Sequence, residues 1–388
     1  MSGSEGWMTG LFSRSLLAVV LVAIGGCGSS AGAVSSSDDA AGRAFPGWTT
    51  DFSRHAVPLS EFHDGGPGRD GIPPIDRPRV VSLSAGDGFL AAREPVIAVE
   101  VGGETRAYPE QILVWHEIVN DMLGGRPVVV TYCPLCNSAL AFDRRVDGRT
   151  LTFGTTGKLR NSDLVMWDRQ TQSWWQQFTG TALVGELTGA TLAPVNAQVL
   201  SWSQFKAAHP DGSVLARPEP SDRPYGSNPY VGYEAAPSSQ PTFYDGRVDP
   251  RFEPLERVSA VFAGDQTAVV GFSELSRDPV IEGSIGGAPL VVLYTRGVAS
   301  ALDERSIADS RDVGTVGVFE PRLAGRPLRF TPVGDAGFRD QTGTTWDVTG
   351  RALDGPRRGS QLQALRHDEQ FWFALAAFVP RARLLVDR

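Results

Sequence analysis

The stretch EPVIAVEVGGETRAYPEQILVWHEIVNDMLGGRPVVVTY (Glu94–Tyr132) decides the fold, because a related stretch begins 162 positions later (256 minus 94). ERVSAVFAGDQTAVVGFSELSRDPVIEGSIGGAPLVVLY (Glu256–Tyr294) aligns with it without a gap. Further along, Gly148 matches Gly325 at an offset of 177, so the second copy carries an insertion of 15 residues (177 minus 162). Self-similarity at a fixed spacing is typical of repeats. The sequence therefore predicts a tandem duplication.

The duplication divides the chain into segments of different composition. We assign residues 46–93 to an N-terminal extension, 94–216 to a first repeat with a Cys-x-x-Cys motif, 217–255 to a connector, and 256–388 to a second, degenerate repeat. The connector is rich in Pro, Ser, Tyr and Gly, as expected of a segment that joins two folded units.

Each repeat is predicted to be a hairpin–helix–strand–hairpin unit. Alternating residues around Gly102-Gly103 predict a β-hairpin. A helix is predicted from Pro109 to Gly124-Gly125, with apolar residues at helical spacing. The later elements are a buried strand at 128–132, hairpins turning at 147–148 and near 170, and a short helix at 203–209. The predicted class is α+β with more strand than helix.

The N-terminal residues predict export and a lipid anchor. The apolar run Leu16–Ile24 is too short to span a bilayer, which takes roughly 20 apolar residues, but suits the core of a secretory signal. Ile24-Gly25-Gly26-Cys27 resembles the lipobox of bacterial lipoproteins. We expect a signal peptide over 1–27, lipidation of Cys27, a flexible tether over 28–45, and attachment to the extracytoplasmic side of a membrane. An ordinary signal peptide with an incidental cysteine is the alternative.

The charge balance bears on partners. The net charge is −8 at pH 7, and no basic stripe occurs, which argues against nucleic acid as a partner. The membrane, reached through the N-terminal lipid, is the partner that we expect. The sequence contains no recognisable Ser-His-Asp set, paired catalytic carboxylates or H-E-x-x-H helix.

Two of the three cysteines, Cys133 and Cys136, lie close together at the end of an apolar run. In the second repeat their positions hold Thr295 and Val298, and His116 is lost as well. The second copy keeps the glycines and apolar positions that a fold needs, so the thiols favour a chemical role specific to the first copy.

Three interpretations of the thiols compete. Cys133, Cys136 and His116 would form a soft ligand set suited to Cu(I) or Zn²⁺. Alternatively, the two cysteines form a thiol–disulfide exchange pair, although the surroundings lack the βαβ pattern of thioredoxin-like folds. The third interpretation is a small structural disulfide, which is common outside the cytoplasm.

A second candidate region is the polar segment Gly154–Asp168. Its Lys158, Asn161, Ser162 and Asp163 could hold an anion or a polar ligand, which would make the protein a non-catalytic module that binds a ligand or partner. The spacing is not that of a P-loop. A polar hairpin loop without a ligand is the alternative.

Several motifs together resemble one family. They are Asp70-Gly-Ile-Pro-Pro-Ile-Asp76, Glu94–Val101, Trp115-His-Glu-Ile-Val-Asn-Asp121, Tyr132-Cys-Pro-Leu-Cys136 and Gly157-Lys-Leu-Arg-Asn-Ser-Asp163. The chain after about Leu59 looks like the family catalogued as domain of unknown function 3179. The resemblance implies a prokaryotic, usually exported protein with the histidine, the thiols and the polar loop in one domain. It implies no particular reaction.

Overall fold

The computed structural model describes residues 45–237, 239–334 and 337–386. The signal peptide predicted over 1–27, its Cys27, and the predicted tether apart from Phe45 lie outside these residues. Within the described residues, no helix is both long and apolar enough to cross a membrane. Strands predominate and the helices are short, which confirms the strand-rich α+β class.

The N-terminal extension packs on the first half through aromatic side chains. Its elements are a 3₁₀ helix at Leu59–Glu61, β1 (His63–Asp64), β2 (Val80–Ser82) and α1 (Leu83–Gly86). The rings of Phe45, Phe52 and Phe62 lie 4.9, 5.2 and 5.3 Å from that of the buried Trp174. Edge-to-face contacts of this kind add to the stabilisation from buried area. The extension is therefore part of the folded body.

The first half contains most of the hairpins that the sequence predicts. Its elements are β3 (Pro95–Val101), β4 (Glu104–Pro109), α2 (Glu110–His116), β5 (Ile118–Leu123), β6 (Arg126–Cys133), β7 (Ser138–Asp143), β8 (Arg145–Val146), β9 (Arg149–Thr150), β10 (Phe153–Arg160), β11 (Asp163–Asp168), β12 (Trp174–Gln176), β13 (Thr181–Val184), β14 (Pro194–Val195), β15 (Ala197–Ser201), α3 (Trp202–Ala208) and β16 (Ser213–Leu215). Gly102 and Gly103 both have positive φ (60° and 82°), as a two-residue hairpin turn between β3 and β4 requires.

The prediction of a helix that extends to Gly124-Gly125 is wrong after His116. The helix α2 ends at His116, and Ile118–Leu123 forms strand β5 instead, paired with β6. Gly124 and Gly125, both at positive φ, form the turn of this hairpin and do not cap a helix. The residues of β5 other than Met122 are buried, on both faces of the strand, so their apolar spacing fits a strand as well as a helix. The unit is hairpin–helix–hairpin where the sequence predicted hairpin–helix–strand.

The second half has the same order of elements, except that it adds a 3₁₀ helix and has no described strand that corresponds to β14. They are β17 (Arg257–Ala263), β18 (Gln266–Gly271), α4 (Phe272–Leu275), β19 (Val280–Ile285), β20 (Ala288–Thr295), a 3₁₀ helix at Ile307–Asp309, β21 (Thr315–Phe319), β22 (Arg322–Leu323), β23 (Arg326–Pro327), β24 (Phe330–Val333), β25 (Gly337–Asp340), β26 (Thr345–Trp346), β27 (Ala352–Asp354), β28 (His367–Phe371), α5 (Trp372–Phe378) and β29 (Arg383–Leu384).

The sheets of the two halves also share their strand order. The order β15-β3-β4-β16 corresponds to β28-β17-β18-β29, β5-β6-β7 to β19-β20-β21, and β10-β11-β12-β13 to β24-β25-β26-β27. One hairpin differs in length: β10 and β11 pair out to Arg160 and Asp163, whereas β24 and β25 end at Val333 and Gly337 after four paired positions. The first half therefore has a longer hairpin at this place.

The halves and the connector meet at the loop that carries the two cysteines. Cys133 and Cys136 share a buried core with the second-half segment 371–375. The backbone N–H of Phe371 donates to the Cys136 carbonyl (2.8 Å), and the Tyr233 hydroxyl of the connector donates to the Leu135 carbonyl (3.0 Å). Both carbonyls are thus bonded from outside the first half.

A buried ionic cluster lies at the same junction. Arg257 pairs with Glu234 of the connector at 2.9 Å. Burial raises the pKa of Glu110 to about 7 and that of Glu369 to about 8, although Arg257 opposes both shifts. The Arg257 guanidinium therefore forms an ion pair with the connector and favours the charged forms of one carboxyl group from each half.

Candidate metal centre

The two thiols are presented by a tight turn between adjacent strands. β6 ends at Cys133 and β7 begins at Ser138, and these two residues pair directly. Within the turn, the Asn137 N–H donates to the Pro134 carbonyl at 3.2 Å, and Asn137 itself has φ +50°. Both cysteines are free thiols and are buried.

The tip of the longer first-half hairpin reaches the thiols. Asn161 and Ser162 have φ values of +52° and +63°, so they form the two-residue turn between β10 and β11. The Ser162 carbonyl lies 3.8 Å from the Sγ of Cys133 and 3.5 Å from that of Cys136. The turn therefore orients its own backbone and the following residue, Asp163, towards the sulfurs.

Asp163 completes a group of three potential ligands. A carboxylate oxygen of Asp163 and the Sγ atoms of Cys133 and Cys136 all lie within 4.8 Å of one another. Its Oδ1 accepts from the Gln176 amide (2.5 Å) and from the Phe178 N–H (3.0 Å). Its Oδ2 is buried and has no hydrogen bond of standard geometry among the described residues, although the two thiols lie close enough to lower the pKa of the carboxyl group against the effect of burial. A buried oxygen without a partner is costly unless an ion or a solvent molecule satisfies it.

The acidic groups at this site all have pKa values above their ordinary values. Burial raises the pKa of Asp163 to about 7, against the opposing effect of its hydrogen bonds. Burial, with the nearby Asp163 carboxylate, raises the pKa of Glu117 to about 8. Burial also raises the pKa of Cys133 and, to a greater extent, that of Cys136. Neither carboxylate forms an ion pair within the described part of the chain.

His116 lies elsewhere. Its Nδ1 is 2.7 Å from the Pro73 carbonyl, its Nε2 is 2.7 Å from the Tyr225 hydroxyl, and burial lowers its pKa. The ring thus ties α2 to the N-terminal extension and to the connector. The structure groups Asp163, and not His116, with the two thiols.

The polar loop divides into two parts. The Lys158 ammonium pairs with Asp64 of β1 at 3.0 Å and lies on the outer part of the hairpin. Asn161 and Ser162 form the turn, and Asp163 lies beside the thiols. The sequence singled out Asp163 and the thiols as two separate sites, and the structure brings them into one. From the sequence, Glu117 is an alternative to His116 as the side chain that faces the thiols, because it is the next residue of the same predicted helix.

The donor set restricts the chemistry. Two thiols and one carboxyl group, all buried, suit a soft or borderline metal ion, since an ion would satisfy the unpaired Oδ2 and favour the deprotonated forms that burial disfavours. The described cluster contains three donors within mutual reach.

The fold and site together define a strand-rich α+β protein with a buried dithiol–carboxylate cluster that could hold a metal ion. Residues 69–382 match the family described as "Protein of unknown function (DUF3179)", and the chain belongs to that family. Comparison with curated proteins and with solved structures gives no significant match.

Proposed function

We propose that the first half binds a transition-metal ion through Cys133, Cys136 and Asp163. The observation that carries this proposal is the position of a buried, unpaired carboxylate oxygen beside two buried free thiols. Burial disfavours the charged forms of these three acidic groups, and a bound cation would favour them.

The mixed donor set favours zinc over copper. Thiolates suit both Cu(I) and Zn²⁺, but carboxylate oxygens are ligands of Zn²⁺ and poor ligands of Cu(I). Because Asp163 lies with the thiols where the sequence suggested His116, the preferred ion is Zn²⁺. Copper remains the competitor in the test below.

The comparison of the two halves supports a role for the site in the first half alone. We infer that the chain arose by tandem duplication, because the sheets of both halves share their strand order. The second half has Thr295 and Val298 in place of the thiols, and the corresponding hairpin has four paired positions where that of the first half has six. Both thiols are thus missing from the half whose strand order is otherwise retained.

A second candidate function for the same residues is thiol–disulfide exchange. One observation favours it: a carboxyl group with a pKa of about 7 lies within 4.8 Å of both sulfurs and can accept a thiol proton. Cys133, whose pKa is raised less than that of Cys136, would attack one sulfur of a partner disulfide, and Cys136 would then release the partner. The protein would lose two electrons and two protons, and the partner disulfide would become two thiols. Burial of both thiols weighs against this reaction.

The third sequence-based candidate, a surface module that binds through the Lys158–Asp163 loop, has less support. Lys158 already pairs with Asp64, and Asp163 faces inward to the thiols. The loop contributes best to the metal site.

We further propose that the protein is lipid-anchored on the extracytoplasmic side of a membrane. The support is the lipobox-like Ile24–Cys27 after an apolar signal core. Cys27→Ser should move the protein from the membrane fraction to the soluble exported fraction. If the variant stays in the membrane fraction, another segment anchors it.

Metal analysis of protein purified from the exported compartment tests the metal proposal. Wild type should contain about one zinc per chain, and Cys133→Ser/Cys136→Ser and Asp163→Asn should contain none. His116→Gln is the matched control and should retain the metal. Loss of metal in His116→Gln but not in Asp163→Asn would refute this ligand set, and copper in place of zinc would refute the choice of ion. A metal-free pair that cycles between dithiol and disulfide would favour the exchange reaction.

A further inference from the structure

Glu117, between α2 and β5, has an unusual backbone conformation. Its φ of +57° and ψ of −30° lie outside the left-handed region that non-glycine residues normally use when φ is positive. The strain is enforced by two backbone hydrogen bonds: its N–H donates to the Leu113 carbonyl (2.7 Å), and its carbonyl accepts from the Tyr132 N–H (2.8 Å). A glycine would adopt this conformation at little cost.

The side chain of Glu117 is also unfavourably placed. It is 7% exposed, and its carboxylate, whose oxygens keep a small contact with solvent, has neither a hydrogen bond nor an ion pair among the described residues. A buried acid without a partner is costly, and the strained backbone adds to that cost. A residue chosen for stability alone would be a glycine, which avoids both penalties.

The surroundings of Glu117 are those of the proposed metal site. Its backbone bonds that of Tyr132, the neighbour of Cys133. The negative charge of Asp163 raises the pKa of Glu117, and Glu117 in turn raises the pKa of Cys133, so the three groups lie within electrostatic reach of one another.

We propose that Glu117 is the fourth protein ligand of the metal ion at Cys133, Cys136 and Asp163. The inference rests on the proposed function and deepens it. The Glu117 carboxylate is not among the three ligand atoms that lie within 4.8 Å of one another, so it reaches the ion by rotation of its side-chain torsions. Four protein ligands make a closed tetrahedral site, of the kind that holds a structural zinc and leaves no position for substrate.

Two substitutions at this position separate a ligand from a structural residue. Glu117→Gln keeps the backbone and the shape of the side chain but removes the charged donor. Glu117→Gly removes the donor and also relieves the backbone strain. Both variants should bind Zn²⁺ at least about tenfold more weakly than wild type, since even outer-shell substitutions cost 10-fold or more. In the metal-free state Glu117→Gly should raise Tm by about 1–3 °C.

Co²⁺ provides a readout that a structural role would not change. The wild-type Co²⁺ complex should show the intense visible bands of a tetrahedral site with sulfur-to-metal charge transfer. In Glu117→Gln, solvent replaces one donor, so the visible bands should weaken while the charge-transfer bands persist. Ala324→Gly is the matched control, because it relieves positive φ (+49°) at an exposed turn of the second half. It should leave affinity and spectrum unchanged.

The outcomes distinguish this inference from the one on which it rests. If wild type binds Co²⁺ and Zn²⁺ through the cysteines but both variants keep the wild-type affinity and spectrum, Glu117 is not a ligand. If Glu117→Gly unfolds at lower temperature and Glu117→Gln binds normally, its role is structural and the inference is wrong. If wild type binds neither ion, the proposed metal site itself fails.

Discussion

Replacement of Asp163 by asparagine should stabilise the metal-free protein at neutral pH. The folded protein raises the pKa of this carboxyl from the ordinary 3.8 to about 7, chiefly through burial. An acid with a raised pKa in the folded state binds its proton more tightly there than in the unfolded chain. Its contribution is therefore least unfavourable below pH 4, and stability is lost as the pH rises from about 4 to about 7.

The size of the effect follows from the two pKa values. The difference between 3.8 and about 7, at 1.36 kcal/mol per pKa unit, corresponds to about 4 kcal/mol at pH 7.5. Asparagine removes this loss and keeps an Oδ1 that can accept from Gln176 and Phe178 as Asp163 does. At pH 4 the difference between the proteins should fall to about 0.6 kcal/mol, because the aspartate is protonated in the folded state and about 40% protonated in the unfolded state.

Urea unfolding in the presence of a chelator, at pH 4 and at pH 7.5, measures the difference. Asp163→Asn should gain up to about 4 kcal/mol relative to wild type between the two pH values. If the variant is less stable than wild type at pH 7.5, or if the difference does not change with pH, the carboxylate is not the unfavourable buried charge described here. With saturating Zn²⁺ the order should reverse, because only wild type gains binding free energy.

Asp340 of the second half provides a control, because its pKa is shifted in the opposite direction to that of Asp163. Burial opposes its ionisation, but hydrogen bonds from Thr342 and Trp346 outweigh burial and hold its pKa below the ordinary value. Its stabilising contribution is present above pH 4 and is lost as the pH falls through the folded pKa. Asp340→Asn should therefore destabilise the protein most at pH 7.5, where Asp163→Asn stabilises it.

Three further changes test other parts of the fold. Tyr233→Phe removes the hydroxyl that bonds the cysteine loop, so a thiol reagent should modify the metal-free protein about fivefold faster, the equivalent of about 1 kcal/mol; an unchanged rate would show that the connector does not restrict access. Arg257→Met should destabilise the protein by about 3–5 kcal/mol in urea, because it leaves the buried Glu234 without one of its cations. Gly157→Ala would place a Cβ 1.8 Å from the Pro67 carbonyl at φ +73°, so it should cost about 2–4 kcal/mol and loosen the N-terminal extension, as proteolysis would detect.

The sequence predicted the hairpins better than the helix. Gly102-Gly103 and Asp147-Gly148 are turns in the structure, since positive φ at adjacent positions is a local requirement that these residue types meet. The helix prediction failed at Ile118–Leu123 because burial on both faces removes the alternation that identifies a strand. The glycine pair that follows was the better local signal, because a two-residue Gly-Gly loop favours a hairpin.

The candidate site was predicted only in part, because its residues lie far apart in the sequence. Cys133 and Cys136 were recognisable from their spacing, but Asp163 lies in another sheet and reaches them through the length of one hairpin. The sequence prediction favoured His116, because a helix followed by a returning strand would bring this residue back beside Cys133. Its ring is instead held by Pro73 and Tyr225, two partners that pattern analysis of the first repeat could not supply.

Under the proposed duplication and metal site, the electrostatics of the site bear on why the thiols occur in the first half alone. Burial disfavours the charged forms of two thiols and two carboxyl groups in the core of the first half, and a bound cation would favour those forms. At neutral pH the thiols are protonated, so the unfavourable charge is that of the carboxyl groups. The second half has the uncharged Thr295 and Val298 at the thiol positions. The joint loss of both thiols is the pattern expected if they act as one unit, and restoration of a single thiol in the second half should therefore bind no metal.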